Sequence, residues 1–196
     1  MQVAFGLKAH SGWAVLVTVG LHRGEFYIVD RQRIELIEDK DTPWAKQPYH
    51  AAQGLEVSAA RGMVAHGIAA AHSTAMREVQ AAVYRSCALG YDIMACAVLV
   101  PNPMPNWSTD EILAVHFRMH KAEGMLFADA LVQSAKACEL NVITIPEKQL
   151  GQYAEKLLAS TLSNLMKKIE MLGNAAGTPW GKDQKSATLA AMIGLH

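Results

Sequence analysis

The amino-acid sequence predicts an α/β fold: a mixed sheet in which three antiparallel strands are followed by two helix-linked strands, flanked by helices. Three observations predict it. Apolar runs rich in β-branched residues recur at short spacing through residues 3–37, and links that short join antiparallel neighbours. Residues 93–100 read IMACAVLV, the continuous apolar run of a strand buried on both faces. Around and beyond that run lie long segments of helical composition rich in Ala, Met and Leu, and strands joined through helices pair in parallel. One sheet with helices packed on its faces satisfies all three.

The elements follow in order. Residues 3–7 form a first strand, residues 8–12 turn the chain, and residues 13–19 form the second strand. Residues 20–24 are a turn, and residues 26–37 a third strand with Phe26, Ile28, Ile34 and Leu36 as its apolar members. Residues 39–54, with Pro43, Trp44, Pro48 and Tyr49, read as a loop. Residues 51–88 are mostly helix, with Gly62 and Gly67 as its weak points and Gly90 as its C-cap. Pro101, Pro103 and Pro105 end the strand at 93–100. Ser108 and Glu111 make a capping box opening a helix that runs to about Cys138. Residues 140–145 are the fifth strand, closed by Pro146; residues 147–172 are helical, 173–181 a loop, and 183–193 a last helix.

The 196 residues are read as a single domain, 1–196. A chain of that size buries about 70% of its unfolded surface and needs no disulfide or metal to fold. Apolar residues make up 51% and charged residues 18%, which excludes disorder from low hydrophobicity. Eighteen Lys and Arg balance eighteen Asp and Glu. The balance excludes an overall basic footprint for nucleic acid and leaves only a local patch. Cys87, Cys96 and Cys138 have neither zinc-knuckle nor redox spacing. Each sits in an apolar stretch as a small hydrophobe, which predicts a reducing cytoplasm. Residues 1–5 lack the pattern of a signal peptide, and the apolar run 13–21 is too short to span a bilayer. No membrane partner is expected.

Three stretches carry a family resemblance: Gly6-Leu7-Lys8-Ala9-His10-Ser11-Gly12-Trp13-Ala14, residues 112–142 with His116-Phe117-Arg118-Met119-His120-Lys121-Ala122-Glu123-Gly124, and GTPWGKDQKSATLAAMIGL at 177–195. Together with the element order, they resemble the ribonuclease H-like superfold, and within it the RuvC-like Holliday-junction resolvases. The resemblance implies two-metal phosphodiester hydrolysis, which needs carboxylates to hold hard cations. It places the first acid near Leu7 or Lys8, and neither is acidic. It places a central-strand Glu within residues 96–100, where there is no acid. Asp183 alone remains, beside Lys185, in the closing motif. A degenerate member without two-metal nuclease activity is therefore expected. The same losses argue against an actin-like ATPase, and no Walker A motif offers another phosphate site.

A second pattern lies on the helix after the central strand. At 100° per residue, His120 falls about +40° and Glu123 about −20° from His116. The three share a stripe with Ile112, Met119 and Phe127, which places them in the middle of the apolar face. Buried ionisable groups must be paired or neutralised. Two readings stand open: satisfied core polar groups, or a site in which His116, His120 and Glu123 bind a metal or a polar ligand. An oligomer interface is a third. His-x3-His is a usable ligand pair, but Glu three residues later is not the metalloprotease pattern.

Lys8 and His10 stand where the family keeps its first acid, as contacts for a phosphate or carboxylate or as a solvated strand end. His66 and His72 face different ways and read as structural. Trp107 and Trp180 border prolines and pack loops. Arg31 and Arg33 share one strand with no aromatic between them, so no basic-aromatic patch stands out. The candidate site residues are thus Lys8, His10, His116, His120, Glu123 and Asp183. The functions they suggest are a degenerate RuvC-like domain binding nucleic acid or another anion, a metal-dependent hydrolase built on the His/Glu stripe, or an assembly module. Ten methionines suit the last, including a homo-oligomer.

Overall fold

A computed structural model describes residues 1–38 and 44–196. The first strand, β1 (Gln2–His10), turns through Ser11 and Gly12 into β2 (Trp13–His22), which pairs with it from Gln2↔Leu21 to His10↔Trp13. Gly12 adopts φ +85°, a left-handed turn conformation that glycine takes without steric cost. β2 continues to His22, past the turn predicted at residue 20, and pairs antiparallel with β3 (Glu25–Glu35). β4 (Asp92–Val100) pairs parallel to β1, and β5 (Val142–Pro146) parallel to β4. The sheet order is β3-β2-β1-β4-β5: three antiparallel strands and then two helix-linked ones, as the sequence predicts.

Strand alternation divides the core between the two sheet faces. Phe5, Leu7, Leu16, Cys96 and Val98 meet α2 (Val57–Ala88) and α4 (His116–Ala137) on one face. Ala4, Val15, Val17, Ala97 and Leu99 meet α5 (Leu150–Leu157), α6 (Leu162–Ala176) and α7 (Lys182–Gly194) on the other. Residues 95–99 are buried from both sides, which is why that run carries no polar alternation.

Several predicted boundaries need correction. Of the loop predicted at 39–54, residues 39–43 lie outside the described residues. The remainder holds a 3₁₀ turn (Trp44–Lys46) and a short helix, α1 (Pro48–Ala51), with Pro48 at its start, where its missing N–H costs nothing. The helix predicted from 51 begins at Val57 and runs unbroken through Gly62 and Gly67. Gly67 is where α1 docks, since a Cβ there would lie 2.6 Å from Pro48 Cβ. The Ser108 capping box is present, but it opens only α3 (Thr109–Leu113). Val115, β-branched and extended at φ −139°, ψ 113°, separates it from α4. The helical stretch predicted at 147–172 divides into a 3₁₀ turn (Glu147–Gln149), α5 and α6. Ala159 is left-handed at φ +47° between α5 and α6, and the Thr161 side chain caps α6. Among the described residues no helix is long and apolar enough to cross a membrane.

Candidate functional site

The parallel strands β1, β4 and β5 all end on one side of the sheet, the usual position of a ligand crevice in a sheet of this kind. Alternation along β1 sends Leu7 into the α2/α4 core and puts Gly6 and Lys8 on the α7 face. A Cβ on Gly6 would lie 1.8 Å from Ala187 O, so α7 rests directly on the β1 backbone. That contact brings Asp183, in the first turn of α7, over the end of β1. Lys8, buried at 6% exposure, places Nζ 2.7 Å from Glu147 Oε1 and 3.1 Å from Asp183 Oδ1. Burial acts to lower the Lys8 pKa, but the hydrogen bonds and charges of Glu147 and Asp183 outweigh it and hold the ammonium above its ordinary value.

His10 Nε2 lies 3.1 Å from Asp183 Oδ2, close enough for an ion pair when protonated but not aligned as a hydrogen bond. Its ring stacks on Trp13 at 4.2 Å and 12°. The Arg33 guanidinium lies over the other ring of this stack, 4.0 Å from the Trp13 centroid. Arg33 therefore does have an aromatic partner. It comes from the neighbouring strand, which a reading along a single strand does not reveal. Arg31 is spent on the carbonyls of Gly177, Thr178 and Pro179.

The histidine stripe forms a second cluster. Glu123 is buried at 5% exposure, as its phase on α4 requires. His116 and His120 are exposed, contrary to the expectation of a buried apolar face. Met119 and Ala122 of the same turns are buried against α1, α2 and α3, and the two imidazoles lie at the margin of that cluster. His50 of α1 lies beside them. Its backbone N–H donates to Glu123 Oε1 at 3.0 Å, and its Nδ1 lies 2.6 Å from Glu123 Oε2. A carboxylate accepts, so Nδ1 carries a proton, and in the neutral ring Nε2 carries the lone pair. That Nε2 is buried without a hydrogen-bond partner among the described residues. The Nε2 atoms of His116 and His120 are 3.1 Å apart, and the His50 ring lies 5.0 and 4.6 Å from theirs. Burial and the charge of Glu123 push the neighbouring Tyr49 phenol up.

One member of each cluster, Glu147 and His120, lines a cavity of about 620 Å³. His120, Lys121 and Gly124 of α4 line one wall, Glu147 and Lys148 the floor after β5, and Lys182 and Ser186 of α7 the opposite wall. Glu147 is already paired with Lys8. Among the described residues no carboxylate pairs with Lys121, Lys148 or Lys182, so the cavity wall is cationic. The six predicted residues therefore do not form one centre. Lys8, His10 and Asp183 gather in one cluster, and His116, His120 and Glu123 gather around His50 in another.

Two members escaped the sequence reading. Glu147 follows Pro146 at the end of β5, and its signal was that strand-end position. His50 lies in a stretch with no periodicity, so no sequence signal identified it. Of the other residues singled out, His72 faces Asp129 at 3.6 Å, Lys185 pairs with Glu170, His66 packs on Trp44, and Trp180 fills the space over Gly173.

No family model and no curated protein sequence matches this chain. Solved structures do. RuvC of Thermus thermophilus superposes with a TM-score of 0.50 at 10% identity, covering 97% of this chain and 92% of that one. T. thermophilus RuvC in complex with a Holliday-junction substrate does so at 0.50 and 10%, covering 98% and 92%. Likeness at that identity establishes the fold: a mixed α/β sheet of the RuvC, ribonuclease H-like kind.

Proposed function

We propose that this chain is a RuvC-like domain, spanning residues 1–196, that binds nucleic acid in the cavity at the carboxyl ends of β1, β4 and β5 and does not cut it by a two-metal route. The observation that carries this reading is the position of Lys8. A site for two hard cations needs converging carboxylates. Here an ammonium occupies the space between Glu147 and Asp183, and the buried β4 residues beside it, Ala97 and Leu99, are apolar. The residues do not fit a pair of divalent ions. They suit a cation already supplied by the chain.

The unpaired lysines supply what a phosphate backbone needs, point charges around a concave surface. The Arg33 guanidinium, held over Trp13 beside the Lys8 cluster, adds a further cation to this surface. RuvC has been solved with a Holliday junction, which makes a four-way junction the first probe. Binding to junction, duplex and single-stranded DNA is measured across a salt series, with cleavage assayed in Mg²⁺ and Mn²⁺. Three phosphate contacts predict a log–log salt slope of about −2.7, with no cleavage product. Failure to bind any of the three at low salt refutes the reading. So does metal-dependent strand scission that survives replacement of His120.

A further inference from the structure

We propose that His50, His116 and His120 form a binding site for a divalent transition metal of the zinc type, with Glu123 as the group that positions His50. This site is separate from the Lys8 cluster and stands whether or not the cavity binds DNA.

The donor set comes first. Three imidazoles offer ligand atoms that all lie within 4.8 Å of one another. Imidazole is a borderline donor suited to zinc and its neighbours rather than to Mg²⁺ or Ca²⁺. A tetrahedral zinc with Zn–N bonds of about 2.05 Å requires ligand nitrogens about 3.3 Å apart. The Nε2 atoms of His116 and His120 are 3.1 Å apart, one helical turn from each other on α4, so this pair is already at chelating distance. A hydrogen bond between the two rings accounts for that distance as well, but it does not account for His50.

His50 carries the stronger argument. Its Nδ1 is held by a buried carboxylate at 2.6 Å, which aims the lone pair of Nε2 away from Glu123. That Nε2 is buried without a hydrogen-bond partner among the described residues. A carboxylate fixing the tautomer and orientation of a histidine is the usual arrangement behind a metal-bound imidazole. The backbone also invests in this placement. Gly67 removes the Cβ that would collide with Pro48, letting α1 come close enough to α2 to bring His50 over the start of α4. Three protein ligands leave a fourth position for water or an anion, and His120 borders the cationic cavity. The class of exogenous ligand that fits is therefore anionic.

The test uses the tag-free full-length chain, stripped with chelator and titrated with Zn²⁺ against a chromophoric competitor. Co²⁺ absorption serves as a second readout. One zinc per chain is expected, with Co²⁺ giving the intense visible bands of a tetrahedral site. His120→Ala and His116→Ala, both at exposed positions, should weaken zinc at least 100-fold while leaving the fold intact by circular dichroism. Glu123→Gln should weaken zinc about 10- to 100-fold. A purely structural Glu123 would instead lower the melting temperature of the metal-free protein and leave zinc affinity unchanged. Substoichiometric zinc in the wild type, or affinity unaltered by His120→Ala, overturns the assignment.

Discussion

Replacing Lys8 with methionine keeps the buried apolar stem and removes the charge between Glu147 and Asp183. With contacts of 2.7 and 3.1 Å to the ammonium, the two carboxylate oxygens are at most about 6 Å apart. At an effective dielectric of about 20, their mutual repulsion approaches 3 kcal/mol. Both acids reach solvent, at 47% and 28% side-chain exposure, which roughly halves that figure. Loss of the ion pairs adds to it, and relief of the buried ammonium offsets part. A net destabilisation of about 2 kcal/mol is expected in urea unfolding at pH 8. The folded-state pKa of Lys8 is raised above the ordinary value of 10.5. Its contribution is therefore complete below pH 10.5 and is lost as pH rises through the folded value. Wild type and variant should stay separated through neutral pH and converge in strong alkali. Mg²⁺ at ten times its Kd should restore about 1.4 kcal/mol to Lys8→Met and nothing to wild type. A variant within about 0.5 kcal/mol of wild type, with no response to Mg²⁺, would show that the ammonium does not hold this site together.

Further outcomes follow from packing and burial. Gly67→Ala forces a Cβ to within 2.6 Å of Pro48, so a loss of about 1–3 kcal/mol is expected in thermal unfolding, together with weaker zinc binding as His50 moves. Burial pushes the Cys96 thiol up to about 12 and raises Cys138 as well, while Cys87 is exposed. A disulfide-exchange reagent at pH 8 should titrate Cys87 quickly, Cys138 slowly and Cys96 only after denaturant is added. Lys148→Ala or Lys182→Ala should reduce the salt slope of DNA binding by about 0.9 each without altering preference among DNA structures.

The order of elements and the division of the sheet into antiparallel and helix-linked strands were legible in the sequence because they rest on periodicity and link length, and both are local. Short links made β1, β2 and β3 antiparallel, and the uninterrupted run at β4 marked the strand buried from both sides. The interest of Lys8 came instead from the family resemblance, which expects an acid near Leu7 or Lys8 at the end of the first strand. The pairing of that lysine was not legible. Glu147 and Asp183 reach it from 139 and 175 positions away in sequence, and no pattern within either segment points to the other. The histidine stripe shows the same division. Its phase on α4 placed Glu123 inside correctly. The exposure of His116 and His120 depended on their place at the margin of a cluster built with α1, α2 and α3, and α1 is a single turn with no periodic signal. His50 is visible only once tertiary contacts are known.

Two glycines hold α7 against the sheet, Gly6 under Ala187 at one end and Gly194 against Ala4 and Ala95 at the other, where a Cβ would stand 3.2 Å from each alanine's Cβ. Helix and strands so tightly seated cannot slide past one another without raising steric conflict along the whole length, so they travel as one rigid block. A bulky guest in the cavity would meet the α7 side of that block and the opening turns of α4. Those turns carry the two solvent-facing imidazoles, so an anion held by them and His50 would sit at the margin of the same cavity, which His120 lines.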